Sequence, residues 1–105
     1  MADIVRISPE ETKARLSSGS ALLVCAYDSN EKFSRFHLEG AISLSDFKER
    51  VADLSNTQEI IFYCNCPAEN SSARVADEYL TQGFINAKAL KGGVEAWKQC
   101  GFKLL

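Results

Sequence analysis

Three short apolar runs decide most of what this chain can become. Residues 21–27 (Ala-Leu-Leu-Val-Cys-Ala-Tyr) form a continuous stretch, and residues 41–44 and 59–64 follow the same pattern. Runs of strand length bounded by polar loops mark strands buried on both faces, which is how a parallel sheet covered by helices is read. A weaker run at residues 87–90 belongs with them.

Helical patterns fill the intervals. Ser8-Pro9-Glu10-Glu11 reads as a capping box with proline at the first helical position, opening a helix that runs toward Leu16 and stops before a Ser17-Ser18-Gly19 loop. Residues 45–54 place Phe47, Val51 and Leu54 on one stripe. Residues 72–82 do the same with Val75, Ala76, Tyr79 and Leu80, and Gly83 stands where a terminal glycine cap belongs. Residues 93–99 make a last short helix with Trp97 inward, followed by Gly101. Strands alternating with helices predict an α/β domain with a mainly parallel central sheet and helices on both faces. Ligands of such sheets bind beyond the carboxyl ends of the strands.

The 105 residues suit one domain, and twelve Lys and Arg against fourteen Asp and Glu leave a formal charge of −2 with the signs interspersed. Nucleic acid and anionic membrane both demand concentrated positive charge, so neither is an expected partner. No cationic segment followed by an apolar stretch opens the chain, and its longest apolar run is too short to span a bilayer. The expected location is the cytoplasm. There, Cys25, Cys64, Cys66 and Cys100 are expected as reduced thiols.

The segment from Ile60 to Ala76 carries the chemistry: a buried strand, a polar loop with two cysteines, then a helix. A helix N-terminus leaves its first N–H groups unpaired and carries roughly half a positive charge, so a sulfur in front of it is stabilised as the anion. A cysteine in such a setting can fall from about 8.5 to between ~3.5 and 7.5, and the thiolate is the nucleophile. Against this stands a plainer reading, in which Cys64 is the last buried residue of its strand and Cys66 a loop residue.

Four motifs make the chain resemble the rhodanese-like (thiosulfate sulfurtransferase) domains. They are Phe62-Tyr63-Cys64 before a Ser-rich loop and the Ser72-Ala73-Arg74-Val75-Ala76 helix; Leu80-Thr81-Gln82-Gly83-Phe84; Leu90-Lys91-Gly92-Gly93-Val94-Glu95-Ala96-Trp97; and Phe36-His37-Leu38-Glu39-Gly40-Ala41-Ile42. The resemblance implies a single rhodanese-like domain over residues 1–105, with about five strands. It implies a cysteine that takes a sulfane sulfur from thiosulfate or a persulfide donor and passes it to cyanide, a thiol or a protein acceptor. No cofactor or metal is implied. The nucleophile would be Cys64, with Cys66 as the alternative: Cys64 directly follows the strand, whereas counting back without gaps from Asn70-Ser71-Ser72 lands on Cys66. Pro67 has no N–H, so a loop starting at Cys66 lacks a donor immediately after the sulfur. The anion cradle would comprise Asn65, Cys66, Pro67, Ala68, Glu69, Asn70, Ser71 and Ser72, with Arg74 as electrostatic support.

The sequence also departs from the family. Its loop lacks the usual glycine and arginine, and the family's Asp-x-Arg appears as Cys25-Ala26-Tyr27. A non-catalytic or redox-sensing interaction module is therefore the alternative function. His37 reads as part of a structural turn, Cys25 as a small buried hydrophobe, and Cys100 as structural or exposed. A phosphatase needs Cys-x5-Arg, but Arg74 lies ten positions after Cys64 and eight after Cys66. Structural zinc wants four clustered ligands, and outside Cys64 and Cys66 only Cys25, Cys100 and His37 remain, each isolated.

Overall fold

The computed structural model describes residues 4–26, 37–38, 40–63 and 70–102, without the side chains of residues 70 and 71. Its elements run in the order β1 (Arg6–Ile7), α1 (Pro9–Ser18), β2 (Ala21–Cys25), β3 (Ala41–Ile42), α2 (Leu44–Arg50), β4 (Glu59–Tyr63), α3 (Asn70–Thr81), β5 (Ala87–Leu90) and α4 (Gly93–Gln99). A 3-10 turn, Val51–Asp53, extends α2. The strands form one sheet in the order β1-β5-β4-β2-β3, and every pair is parallel. β4 is thus central, with β2 and β5 on either side.

Successive strand residues point to opposite faces, so a strand covered on both must be apolar throughout. Val24, Ile60 and Phe62 pack on one face against Phe47 of α2 and Val75, Ala76 and Tyr79 of α3. Leu23, Cys25, Ile61 and Tyr63 pack on the other with Val94 and Trp97 of α4. On the first face the Phe47 ring meets Phe62 edge-on at 5.5 Å and Tyr79 edge-on at 5.0 Å, while Phe62 and Tyr79 stack at 5.7 Å. Each such pair adds about 0.5–1.5 kcal/mol beyond its buried area. On the second face fully buried Trp97 meets Phe102 edge-on at 5.0 Å.

Several boundaries differ from the sequence reading for local reasons. Ser8 caps α1 as predicted, its Oγ accepting the Glu11 N–H at 3.2 Å, with Pro9 in the first turn. The helix nevertheless continues through Ser17 and Ser18, because the Ser18 hydroxyl donates to the Arg15 carbonyl at 2.9 Å and the reversal waits for Gly19. β2 ends at Cys25, two residues short of the predicted run; Ala26 lies beyond it and Tyr27 falls outside the described residues. β3 ends at Ile42 because Ser43 caps α2, accepting the Asp46 N–H at 3.1 Å. The predicted helix 45–54 is α2 plus the 3-10 turn, and its stripe is kept: Phe47 is buried, with Val51 and Leu54 packed alongside. α3 starts two residues earlier than predicted. β1 was not among the four runs; two residues are too few to show a pattern. No helix of the described residues is long and apolar enough to cross a membrane.

Gly92 is the residue where the turn from β5 into α4 admits no side chain. Its φ of 78° lies in the left-handed region, and a Cβ there would sit 2.6 Å from the Ala96 Cβ.

Candidate active site

The carboxyl edge of the sheet is where β4 releases the chain toward the two cysteines. Tyr63, its last residue, is 3% exposed and pairs in register with Cys25 of β2. The Tyr63 carbonyl accepts the Ala26 N–H at 2.8 Å, so the sheet pairing extends one step beyond β2 at this point. The Tyr63 hydroxyl accepts the N–H of fully buried Leu38 at 3.5 Å. Burial pushes this phenol far above the ordinary tyrosine range; the Cys25 thiol beside it adds to the rise and the Leu38 N–H opposes it.

The other boundary of the segment is α3, a twelve-residue helix beginning at Asn70. Ser72 in its first turn is fully buried, Val75 and Ala76 face the core, and Arg74 is exposed. The chain therefore leaves a pinned central strand at Tyr63 and resumes at the amino end of a long helix. Cys64, Asn65, Cys66, Pro67, Ala68 and Glu69 lie outside the described residues, as do the side chains of Asn70 and Ser71. Of the predicted site residues, the structure describes the side chains of Ser72 and Arg74.

The remaining thiols separate clearly. Cys25 is 4% exposed within the apolar face that holds Trp97, in keeping with the small-hydrophobe reading. Cys100 is exposed and donates from Sγ to the Glu10 carboxylate at 3.2 Å. That hydrogen bond holds the Cys100 thiol above its ordinary value and the Glu10 carboxyl below its own. His37, half-buried, precedes a turn in which the Ala41 N–H donates to the Leu38 carbonyl at 3.0 Å and Gly40 takes a φ of 87°. Among the described residues no group of three or more His, Cys, Asp or Glu could hold a metal.

Two residues that shape this edge carried no functional weight in the sequence reading. Tyr63 appeared only as the next-to-last residue of a buried strand and Leu38 only within the His37 motif. A phenol closing an otherwise apolar strand was the available signal, because a buried hydroxyl needs a partner.

With that geometry in hand, the likeness to known proteins is informative. The rhodanese-like domain model matches residues 8–100. A protein named thiosulfate sulfurtransferase GlpE from Pseudomonas syringae is 31% identical over 102 residues, covering 93% of this chain and 91% of that one. Its namesake from Pseudomonas entomophila is 33% identical over 103 residues, covering 93% and 88%. Among solved structures, the crystal structure of the Alr3790 protein from Anabaena superposes with a TM-score of 0.80 at 20% identity, covering 94% of this chain and 90% of that one. The human single-domain sulfurtransferase TSTD1 does so with a TM-score of 0.76 at 17% identity, covering 92% and 97%.

Proposed function

The chain belongs to the family of rhodanese-like domains, and on that premise we propose that it is a sulfurtransferase working through a cysteine persulfide on Cys64. The observation that carries the reading is the placement of the thiol-bearing segment: residues 64–69 join the pinned end of the central strand to the amino end of a twelve-residue helix. Unpaired N–H groups and the helix dipole favour negative charge at that end. A thiolate, a persulfide and the oxyanion of a departing sulfite all gain from that field.

In the first half-reaction the thiolate Sγ attacks the outer sulfur of thiosulfate. A new S–S bond forms, the original S–S bond breaks, and sulfite leaves with its electron pair. A persulfide donor reacts in the same way and releases its thiolate. In the second half-reaction an acceptor attacks the terminal sulfur, taking it as thiocyanate from cyanide or as a new persulfide from a thiol, and the Cys64 thiolate is restored. No net oxidant is consumed, and the two halves give ping-pong kinetics. Arg74, exposed one turn into α3, supports an anionic donor electrostatically. The acceptor is a small thiol, cyanide or a protein thiol, and the reducing cytoplasm is the setting in which the thiol stays available.

The test is intact mass with peptide mapping after incubation with thiosulfate, and separately with glutathione persulfide, on wild type, Cys64→Ser and Cys66→Ser. One added sulfur on wild type that disappears only in Cys64→Ser supports both the function and the nucleophile. Disappearance only in Cys66→Ser keeps the function and moves the nucleophile to Cys66. If neither donor loads any cysteine, the non-catalytic or redox-sensing module is the better description.

A further inference from the structure

Tyr63 does more than a buried aromatic residue needs to. A phenylalanine would bury almost the same apolar surface at this position, and the hydroxyl costs free energy in an apolar interior unless it is hydrogen-bonded. It accepts the Leu38 N–H at 3.5 Å, and Cys25, its register partner in β2, packs on the same face. One phenol thus ties the end of β4 to the turn that precedes β3. The Tyr63 main chain is fixed as well, through its carbonyl and the Ala26 N–H at 2.8 Å. The carbon of that carbonyl is bonded to the backbone nitrogen of Cys64.

We propose that Tyr63 is a positioning residue for the sulfur-carrying segment, its hydroxyl locking the strand end from which Cys64 departs to the buried Leu38 turn. The inference rests on the sulfurtransferase reading for its catalytic consequence, but its geometric content does not depend on the donor. Displacing a reacting group by about 1 Å can cost on the order of a hundredfold in rate, so a strand end held at both main chain and side chain has a direct bearing on transfer.

The experiment compares wild type, Tyr63→Phe and Phe84→Leu. Phe84 is a core residue just before β5, at the opposite edge of the sheet, and its variant serves as a control for lost stability. Tyr63→Phe keeps the ring and its packing, so the fold is retained. We expect kcat with thiosulfate to fall about tenfold in Tyr63→Phe, with KM changed less than about twofold. Alkylation of Cys64 at pH 7, followed by peptide mapping, should slow by about fivefold and its pH midpoint rise, the outcome expected if the strand end governs how the amino end of α3 stabilises a thiolate. Phe84→Leu should lower the melting temperature at least as much and change neither readout.

The proposal is overturned if Tyr63→Phe stays within about twofold of wild type in both kcat and alkylation rate, or if Phe84→Leu reproduces the changes. If wild type accepts sulfur from no donor, the sulfurtransferase reading falls separately. The alkylation comparison then decides the positioning role alone: a slower Tyr63→Phe supports it and equal rates overturn it.

Discussion

The two ends of β4 are held by different chemistry. At the amino end, the Glu59 carboxylate meets both Arg15 of α1 and Lys88 of β5. Neutral side chains reinforce this edge, with Gln58 donating to the Ser20 carbonyl at 3.3 Å and Asn86 to the Thr57 carbonyl at 2.8 Å. At the carboxyl end, an uncharged phenol and a backbone N–H fix Tyr63. Cys100 shows why the distinction matters for a thiol in this fold, because the Glu10 carboxylate beside it stabilises the protonated form. The anchors described at the carboxyl end are neutral and leave the field of a helix N-terminus to favour a thiolate.

The largest effect should separate the two ends outright. Cys64→Ser is expected to lower sulfur transfer by about a thousandfold or more while leaving the melting temperature within about a degree, which steady-state kinetics and calorimetry would check. Glu59→Gln should do the reverse, costing about 1–2 kcal/mol in denaturant unfolding with sulfur loading of Cys64 unchanged. That is below the 3–5 kcal/mol for breaking a fully buried pair, because Arg15 keeps 40% of its side chain in solvent. A reversed pattern, with activity lost in Glu59→Gln and stability lost in Cys64→Ser, would break the comparison.

A further prediction uses pH. The folded-state value of Tyr63 is raised above that of an unfolded tyrosine, so its contribution to stability is complete below about pH 10 and is lost as pH rises further. Unfolding free energy should therefore decline above about pH 10, by up to about 1.4 kcal/mol per pH unit from this one group, and less steeply in Tyr63→Phe. Tyr79, raised mainly by burial, contributes in the same direction and leaves a residual slope in the variant. The smallest effect concerns Cys100: Glu10→Ala should speed its alkylation at pH 8 by about two- to threefold. An unchanged rate would mean that the carboxylate does not restrain that thiol in solution.

Much of the fold was legible because the physics behind it is local. Residues 87–90 and 93–99 were read with the boundaries the structure has, since a short apolar run and a helix between glycines leave little choice. Ser8 was legible as a cap because its hydroxyl answers an N–H three residues away. Ser43 was misread as part of a strand; it has the same chemistry, but an apolar run masked it. Two-residue β1 exists only because β5 offers it a ladder, which no local pattern encodes. At the site, the strand and the helix were legible from periodicity but not their facing ends: α3 begins at Asn70 rather than Ser72, and Cys64, the predicted last residue of the strand, lies outside the described residues. The tie between Tyr63 and Leu38 spans 25 positions and depends on how the β2–β3 connection packs, so the linear sequence holds no direct trace of it.

The pairing of β1 with β5 also governs when this chain can fold. Arg6 is synthesised long before Ala89, its partner in the ladder, and Lys91 supplies the N–H that meets the Ile7 carbonyl at 2.8 Å. A growing chain can assemble β2, β3 and β4 while β1 still lacks its neighbour, leaving one edge of β4 open until β5 arrives. Contacts of such sequence separation slow folding. An unpaired central strand is in the meantime a template for other chains. The interval before β5 emerges is therefore when the topology leaves the chain most open to pairing with other chains.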